Sequence, residues 1–498
     1  MKHPGRIVAA DQHDARLAFA LAAAFALFCI FINPVGYVGA GADDEHYLAA
    51  ARCWIEQGLP CRPPNHWWTR WPAFAPVALS TALLGESRFT VSIGPFVYWT
   101  ASMAAIGMLG TLWFNARAGA LAVAILAATP AVAVIAIDPT ADTAELCFQL
   151  SALVAATFAF RRHSPIWAIV AGIAAGLALE SRDTSAVFIA VSALAWLFLD
   201  SHRRRVLLWA IAGLAAVTIA DMAIYGFATG DPLLRYRLAL GHVGVPTDAL
   251  PEGFDTSQSP LLNPSYIRAW KREVGITMFW PLDPWINLLA TPRIRSVLWF
   301  LLAAVLLYRQ RLSPTENRVA FRLLLAAALW AVLLVYGLAI DPKSRMFLPL
   351  AAAAALVGGA LVAAAWRSGS QLPAATLLLM HLTLGIYAID HHAASAVPEA
   401  RARHWLAAFQ DRIEITRGAR SYLTLIPGVR TLPADQSGHE MVILNSVKPC
   451  DEVAGAQAGG PRLGRVVDYV QEPNAQQSYL CLIAYTDAYY RERNLVRR

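Results

Sequence analysis

The chain has 498 residues, 57% of them hydrophobic and only 15% charged, with a net charge of +7. A soluble globular chain carries roughly 25% charged residues, so a single soluble domain is disfavoured. The Ala- and Leu-rich sequence with its 29 Pro excludes disorder and a coiled coil, and six Cys are too few for a disulfide-dense scaffold.

Apolar runs of about 18 residues or more, the length that spans a bilayer, recur along the chain. Eleven spans are expected, near 17–37, 91–114, 118–137, 143–160, 165–181, 184–200, 206–228, 293–308, 323–340, 346–365 and 372–389. Ala40-Gly41-Ala42 resembles a signal-peptide cleavage site, but the apolar stretch before it is long for a signal and ten more spans follow. One set of short connections holds Arg117; Arg161 and Arg162; Arg203, Arg204 and Arg205; Arg309, Arg311, Arg318 and Arg322; and Arg367. These loops alternate with the others, and Lys2 and Arg6 in the N-terminal tail belong with them. The positive-inside rule makes this set cytoplasmic. An odd number of spans then puts the N-terminus inside and the C-terminus outside. The +7 is thereby mainly a record of topology, and no stacking or zinc motif points to nucleic acid.

The expected fold class is an all-α polytopic membrane protein with about eleven transmembrane helices and a small α/β C-terminal extracytoplasmic domain. Residues 1–390 form the membrane module, with large outer loops over 38–90 and 229–292, and 391–498 form the outer domain. In that tail Met441-Val442-Ile443-Leu444 and Tyr479-Leu480-Cys481-Leu482-Ile483 read as strands. Cys29 and Cys147 fall in membrane helices. Cys53 and Cys61 share the first outer loop, and Cys450 and Cys481 share the tail. An oxidising outer compartment permits disulfides, and the local pairs are the simplest of three pairings.

The first outer loop opens on Asp43-Asp44-Glu45-His46-Tyr47, at the start of a helix that Gly58 can end. Asp43 and Tyr47 are four apart and share a face. Three consecutive carboxylates beside an apolar boundary are costly, and an ionised carboxylate there can accept a proton from a hydroxyl. Their plainer reading is a solvated acidic helix cap. Asn65-His66-Trp67-Trp68-Thr69-Arg70-Trp71-Pro72 follows. Its Arg can bind phosphate bidentately and its Trp faces suit a sugar ring, although a belt of interfacial Trp anchors reads as well. Asp138 and Asp142 lie in the second outer loop. Arg182 and Asp183 end a helix, where a local ion pair between them is the plain expectation. Asp341-Pro342-Lys343-Ser344-Arg345 forms the last short outer loop. All these acids and bases fall on one membrane face, which suggests a site there.

The Asp43-Asp44-Glu45-His46-Tyr47 stretch resembles the Asp-Glu-x-His-Phe motif of protein O-mannosyltransferases and the Asp-Glu-x-Arg-Tyr motif of lipid A aminoarabinose transferases. Both belong to the GT-C superfamily of glycosyltransferases, which use polyprenyl-phosphate sugars. In that superfamily the motif opens the first outer loop, as here, and its two acids match Asp43 and Asp44. The family's His/Lys-Pro-Pro-Leu segment falls roughly twenty to thirty residues on, where His66 or Arg70 with Pro72 stands. The family also carries an acid in the second outer loop, where Asp138 and Asp142 lie. Its Arg-Tyr-x-x-Pro segment is similar to Arg345-Met346-Phe347-Leu348-Pro349.

The resemblance implies sugar transfer with inversion, from a polyprenyl-phosphate donor to a protein, lipid or glycan acceptor. Asp43 would be general base, with Asp44 beside it. Arg70, Lys343, Arg345, His66 and Arg182 would hold the donor phosphate. Glu45, His46, Tyr47, Trp67, Asp138 and Asp142 would position acceptor or sugar. No metal ligands are assigned, although clustered carboxylates leave a divalent metal open as a cofactor. The main rival is a polytopic transporter or flippase of a lipid-linked or small solute. Asp221 and Glu145 fall in span-like sequence, and Pro34, Pro95 and Pro130 could break helices as transporters do. Phe279-Trp280-Pro281-Leu282-Asp283-Pro284-Trp285, in the 229–292 loop, reads as an interfacial anchor.

Overall fold

Backbone polar groups inside a bilayer must satisfy one another, and a helix does this within one segment. The computed structural model shows the apolar runs as helices. It describes residues 4–32, 43–58, 61–197, 201–240, 282–337, 344–392, 397–409, 413–415, 441–446, 449–455, 464–471 and 479–485. In chain order the helices are α1 (Pro4–Phe31), α2 (Asp43–Gln57), α3 (Trp71–Leu84), α4 (Arg88–Trp113), α5 (Ala116–Ala127), α6 (Pro130–Val134), α7 (Ala141–Arg162), α8 (Pro165–Ser181) and α9 (Ser185–Leu197). They continue as α10 (Ser201–Thr229), α11 (Leu234–Leu240), α12 (Asp283–Ala290), α13 (Arg295–Tyr308), α14 (Pro314–Val332), α15 (Leu348–Arg367), α16 (Gln371–His392), α17 (Val397–Phe409) and α18 (Cys450–Gly455).

Among the described residues, six helices are long and apolar enough to cross a membrane, and eight spans result if each of two bent pairs counts as one. The expected spans 17–37, 165–181 and 184–200 correspond to shorter apolar helices. The expected span over 118–137 is bent by 70° between α5 and α6. Pro130 begins the second piece, and a residue before proline is driven out of the helical region, as the extended Thr129 shows. Pro95, in contrast, sits inside an unbroken α4. The expected start at 323 is nine residues late. Ser313 and Glu316 form a capping box that begins α14 at Pro314, so the helix carries Arg318 and Arg322 past the apolar stretch.

α15 is the central helix. Its residues Ala351 to Ala365 are buried all round, as a helix apolar on every face must be. Small side chains let neighbouring backbones close in: a Cβ on Gly359 would sit 2.7 Å from the Ala118 carbonyl oxygen on α5. The main core joins α15 to α1, α4, α5, α13 and α14. Large exposed apolar side chains, such as Leu208 and Phe227 on α10 and Leu372 and Leu379 on α16, cover the outside of the bundle.

The tail contains a four-stranded sheet of β1 (Ile413–Ile415), β2 (Met441–Ser446), β3 (Gly464–Gln471) and β4 (Tyr479–Tyr485), in the order β1-β2-β4-β3. The β1–β2 pair is parallel and the others are antiparallel. Ala402 and Trp405 of α17 pack on one face with Ile413 and Leu482. Cys450 of α18 packs on the other and is bonded to Cys481. Cys53 and Cys61 form the second disulfide, and Cys29 and Cys147 are free and buried. Asp341, Pro342, Lys343, Pro34 and Phe279-Trp280-Pro281 lie outside the described residues, as does the side chain of Glu45.

Candidate active site

The site is built where α2, the 61–71 segment, the start of α7, the end of α8 and the entry to α15 meet. α2 begins at Asp43 and ends at Gly58, whose φ of +83° only glycine adopts without strain. Two ties fix its far end. The Cys53–Cys61 disulfide binds it to the following segment. Arg52 Nε donates to Glu86, in the turn between α3 and α4, at 3.1 Å.

Asp43 meets Arg345, which stands just ahead of the central helix: Arg345 Nη2 donates to Asp43 Oδ2 at 2.7 Å. Asp44, Asp142 and Tyr47 also act electrostatically on Arg345. Asp44 and Asp142 are each 2% exposed. The Asp142 carboxylate, at the start of α7, pairs with Arg182. The other nitrogen of that guanidinium contacts Met346, the neighbour of Arg345. Asp138 completes this acidic group. Burial and the adjacent Asp44 carboxylate push it up to about 7, against the pull of Arg293 and Arg345.

A second cluster adjoins the first through Tyr47. Arg70 Nη1 donates to Tyr47 Oη at 3.1 Å, and Arg70 Nη2 to Asp183 Oδ2 at 3.2 Å. Burial opposes the Asp183 charge, but Arg235 and Arg70 override it and hold the carboxyl below its usual range. The expected Arg182–Asp183 pair is therefore not what forms. Arg182 turns to Asp142 and Asp183 to Arg70 and Arg235, because the backbone is extended at Arg182, just past the end of α8, and successive side chains of an extended segment point to opposite sides.

His46 and Trp67 stack with ring centroids 4.3 Å apart and planes 15° from parallel. His66 is buried and tilts against Trp67 at 3.8 Å. Among the described residues, no three His, Cys, Asp or Glu are grouped to hold a metal ion. The partners of Asp43 and Asp142 here are arginines.

Three features escaped the sequence reading. The Trp-rich stretch read as a belt or loop leads into α3, which begins at Trp71 with Pro72 in its first turn. A double proline does occur, at Pro63-Pro64 after Arg62, a few residues ahead of the position assigned to it. Arg62 is exposed, and the cation that reaches the site from this segment is Arg70. The third is Arg235 on α11. Its guanidinium donates to the carbonyls of Thr69 and Glu180 at 2.9 Å and of Leu179 at 2.7 Å. A period-two pair of arginines in Leu234-Arg235-Tyr236-Arg237 was the available signal, since residues two apart on a helix do not share a face.

Residues 72–225 match the family model for dolichyl-phosphate-mannose-protein mannosyltransferases. No curated protein sequence matches the chain significantly. ArnT from Cupriavidus metallidurans in the apo state superposes with a TM-score of 0.52 at 13% identity, over 95% of this chain and 98% of that one. Its structure bound to undecaprenyl phosphate gives a TM-score of 0.51 at 14% identity, over 93% and 97%. The Archaeoglobus fulgidus oligosaccharyltransferase gives a TM-score of 0.48 at 14% identity, and the chain spans 60% of that protein's length. The chain thus shares the fold of ArnT over nearly the whole length of both proteins.

Proposed function

We propose that the chain is a membrane glycosyltransferase that moves a sugar from a polyprenyl-phosphate donor to an acceptor at the outer face of the membrane, with inversion. The observation that carries this reading is the meeting of Asp43 with Arg345. It puts a candidate base and a candidate phosphate-binding cation at one point. The family match over residues 72–225, the fold shared with ArnT and the undecaprenyl phosphate bound by that protein support the donor class.

In the proposed step, an acceptor hydroxyl or amine gives its proton to Asp43. The nucleophile forms a bond to the anomeric carbon as the bond from that carbon to the phosphate oxygen breaks. The leaving polyprenyl phosphate is a stable anion and needs no acid. It needs cations, which Arg345 and Arg70 supply, joined by Lys343 from the same loop as Arg345. Arg182 acts less directly, since Asp142 and Met346 occupy it. The His46–Trp67 stack offers a flat aromatic wall for a sugar ring. Tyr47 and Asp138 border the position of the acceptor, and Asp142 fixes Arg182 at its edge. The acid-bearing loops lie outside, the N-terminus is cytoplasmic and the C-terminus extracytoplasmic, in a cell inner or plasma membrane. The tail 391–498 is an outer domain beside the catalytic module.

The transporter reading draws no support from the ionisable residues inside helices. Glu145 accepts from Thr184 and Ser185 at 2.8 Å, and Asp221 accepts from Trp71 Nε1 at 3.1 Å. The test is to give purified protein radiolabelled polyprenyl-phosphate sugars one at a time and to follow the label into protein, lipid and glycan fractions. Label transfer from at least one donor is expected. Solute flux with no transfer from any donor would overturn the reading in favour of transport.

A further inference from the structure

Arg235 is 1% exposed, yet it lies on the seven-residue helix α11 in a polar outer loop. Its neighbour Arg237, two residues on, is 68% exposed and pairs with Asp231. A buried guanidinium is costly unless it is paired and hydrogen-bonded, and here both terminal nitrogens donate twice, while Nε lies against Glu180 without hydrogen-bond geometry. Besides the three carbonyls, Arg235 lies 2.9 Å from the Glu180 carboxylate and 3.1 Å from Asp183 Oδ1. These partners come from the end of α8, from the residue before Arg70, and from the carboxylate that Arg70 itself uses.

We infer that Arg235 is a positioning residue for the donor phosphate: by holding Asp183 and the Thr69 carbonyl, it sets the guanidinium of Arg70 against Tyr47 and couples the second large outer loop to the phosphate site. This rests on the proposed role of Arg70. The geometry is a chain of single contacts. Arg235 holds Asp183 Oδ1, Asp183 Oδ2 holds Arg70 Nη2, and Arg70 Nη1 holds Tyr47 Oη. Tyr47 stands one turn along α2 from Asp43. Asp183 is the pivot, shared by two arginines that would otherwise repel each other. A fork held on two sides loses little freedom when it binds an anion. Without the Arg235 side of the clamp, Arg70 must be ordered by the ligand itself.

The probe is undecaprenyl phosphate binding to the purified full-length protein, together with donor KM and kcat. Asp183→Asn is the first variant, because Asp183 is 40% exposed and its loss leaves no buried cavity. Arg235→Lys is the second, because it keeps the charge and loses the fork. Both should weaken undecaprenyl phosphate binding about tenfold, the worth of one charge-assisted hydrogen bond, and raise donor KM with kcat changed less than twofold. Asp183→Asn placed on top of Arg70→Gln should add nothing, since Arg70 carries the effect. If Arg70→Gln weakens binding but Asp183→Asn and Arg235→Lys bind as the wild type does, the inference fails while the reading of Arg70 stands. Additive losses in the double variant also overturn it, because they place Asp183, the pivot between Arg235 and Arg70, outside the Arg70 chain. Unweakened binding in Arg70→Gln overturns the role of Arg70 and the inference together.

Discussion

Arg345 Nη2 lies 2.7 Å from Asp43 Oδ2, joining the start of α2 to the segment ahead of α15 across 302 positions. Both side chains are about a quarter exposed, so a ligand can reach the pair. A carboxylate held by a guanidinium is a poor base, since the cation stabilises its ionised form. On the proposed reading, a donor phosphate entering here would compete for Arg345, and each contact it took from Asp43 would raise the basicity of that carboxylate. On that reading the pair would couple donor arrival to activation of the base.

Asp43→Asn should leave fold and expression intact and lower sugar transfer by about 100-fold or more, the usual worth of a positioned general base. The measure is kcat for label transfer beside a melting curve for the same preparation. Full activity in both Asp43→Asn and Asp44→Asn would remove the acidic motif from the mechanism.

Arg345→Gln removes the proposed phosphate ligand and the partner of Asp43 in one change. Donor KM should rise about tenfold or more, as expected for a charge-assisted contact. Losing the cation also raises the Asp43 pKa, so the base stays protonated over a wider acidic range. The acidic limb of the profile of kcat/KM against pH should move to higher pH. Arg345→Lys should restore most of that limb, because it keeps the charge, and less of the KM, because it loses the fork. An unmoved limb in Arg345→Gln would mean that Asp43 is not the titrating base.

The acids and cations of the first group were legible because each stands at the end of an apolar run, where a charge is costly and therefore noticeable. Asp43, Asp142 and Arg345 are of this kind. Arg235 was not legible. Leu234-Arg235-Tyr236-Arg237 reads as an ordinary basic surface turn, and only the fold shows which arginine is buried. Likewise, nothing local to Arg182-Asp183 says that the backbone is extended there, which sends the two side chains to opposite sides. The bend before α6 was half legible: Pro130 marked a break, but Pro95 carries the same mark inside a continuous helix. What separates them is the packing around each, which a local window does not contain.

Asp142 and Arg182 form a pair that is almost wholly buried, with side chains 3% and 6% exposed. Removing one partner of such a pair strands the other and costs about 3–5 kcal/mol. Arg182→Met should therefore lower the melting temperature sharply. Asp142→Leu combined with Arg182→Met should recover part of that loss, because neither Asp142 nor Arg182 is left stranded, while the buried Glu145, 3.9 Å from Arg182, still loses its cation. Thermal melts of the two proteins in the same detergent decide this, and a double variant less stable than the single one would show that the pair has further partners.

Asp138 offers a pH signature distinct from that of Asp43. Its carboxyl is pushed up to about 7 by burial and by Asp44, against roughly 3.9 in an unfolded chain. Between those values the folded protein holds a proton that the unfolded chain has released. The linkage term is then negative, and stability falls as pH rises from about 4 to about 7, with no further change above. Asp138→Asn cannot take part, since an amide does not titrate. The melting temperature of the wild type, scanned from pH 5 to 9, should fall more between pH 5 and pH 8 than that of Asp138→Asn, and the two curves should run parallel above pH 8. Parallel curves over the whole range would mean that Asp138 is already ionised at pH 5, and that Arg293 and Arg345 outweigh its burial.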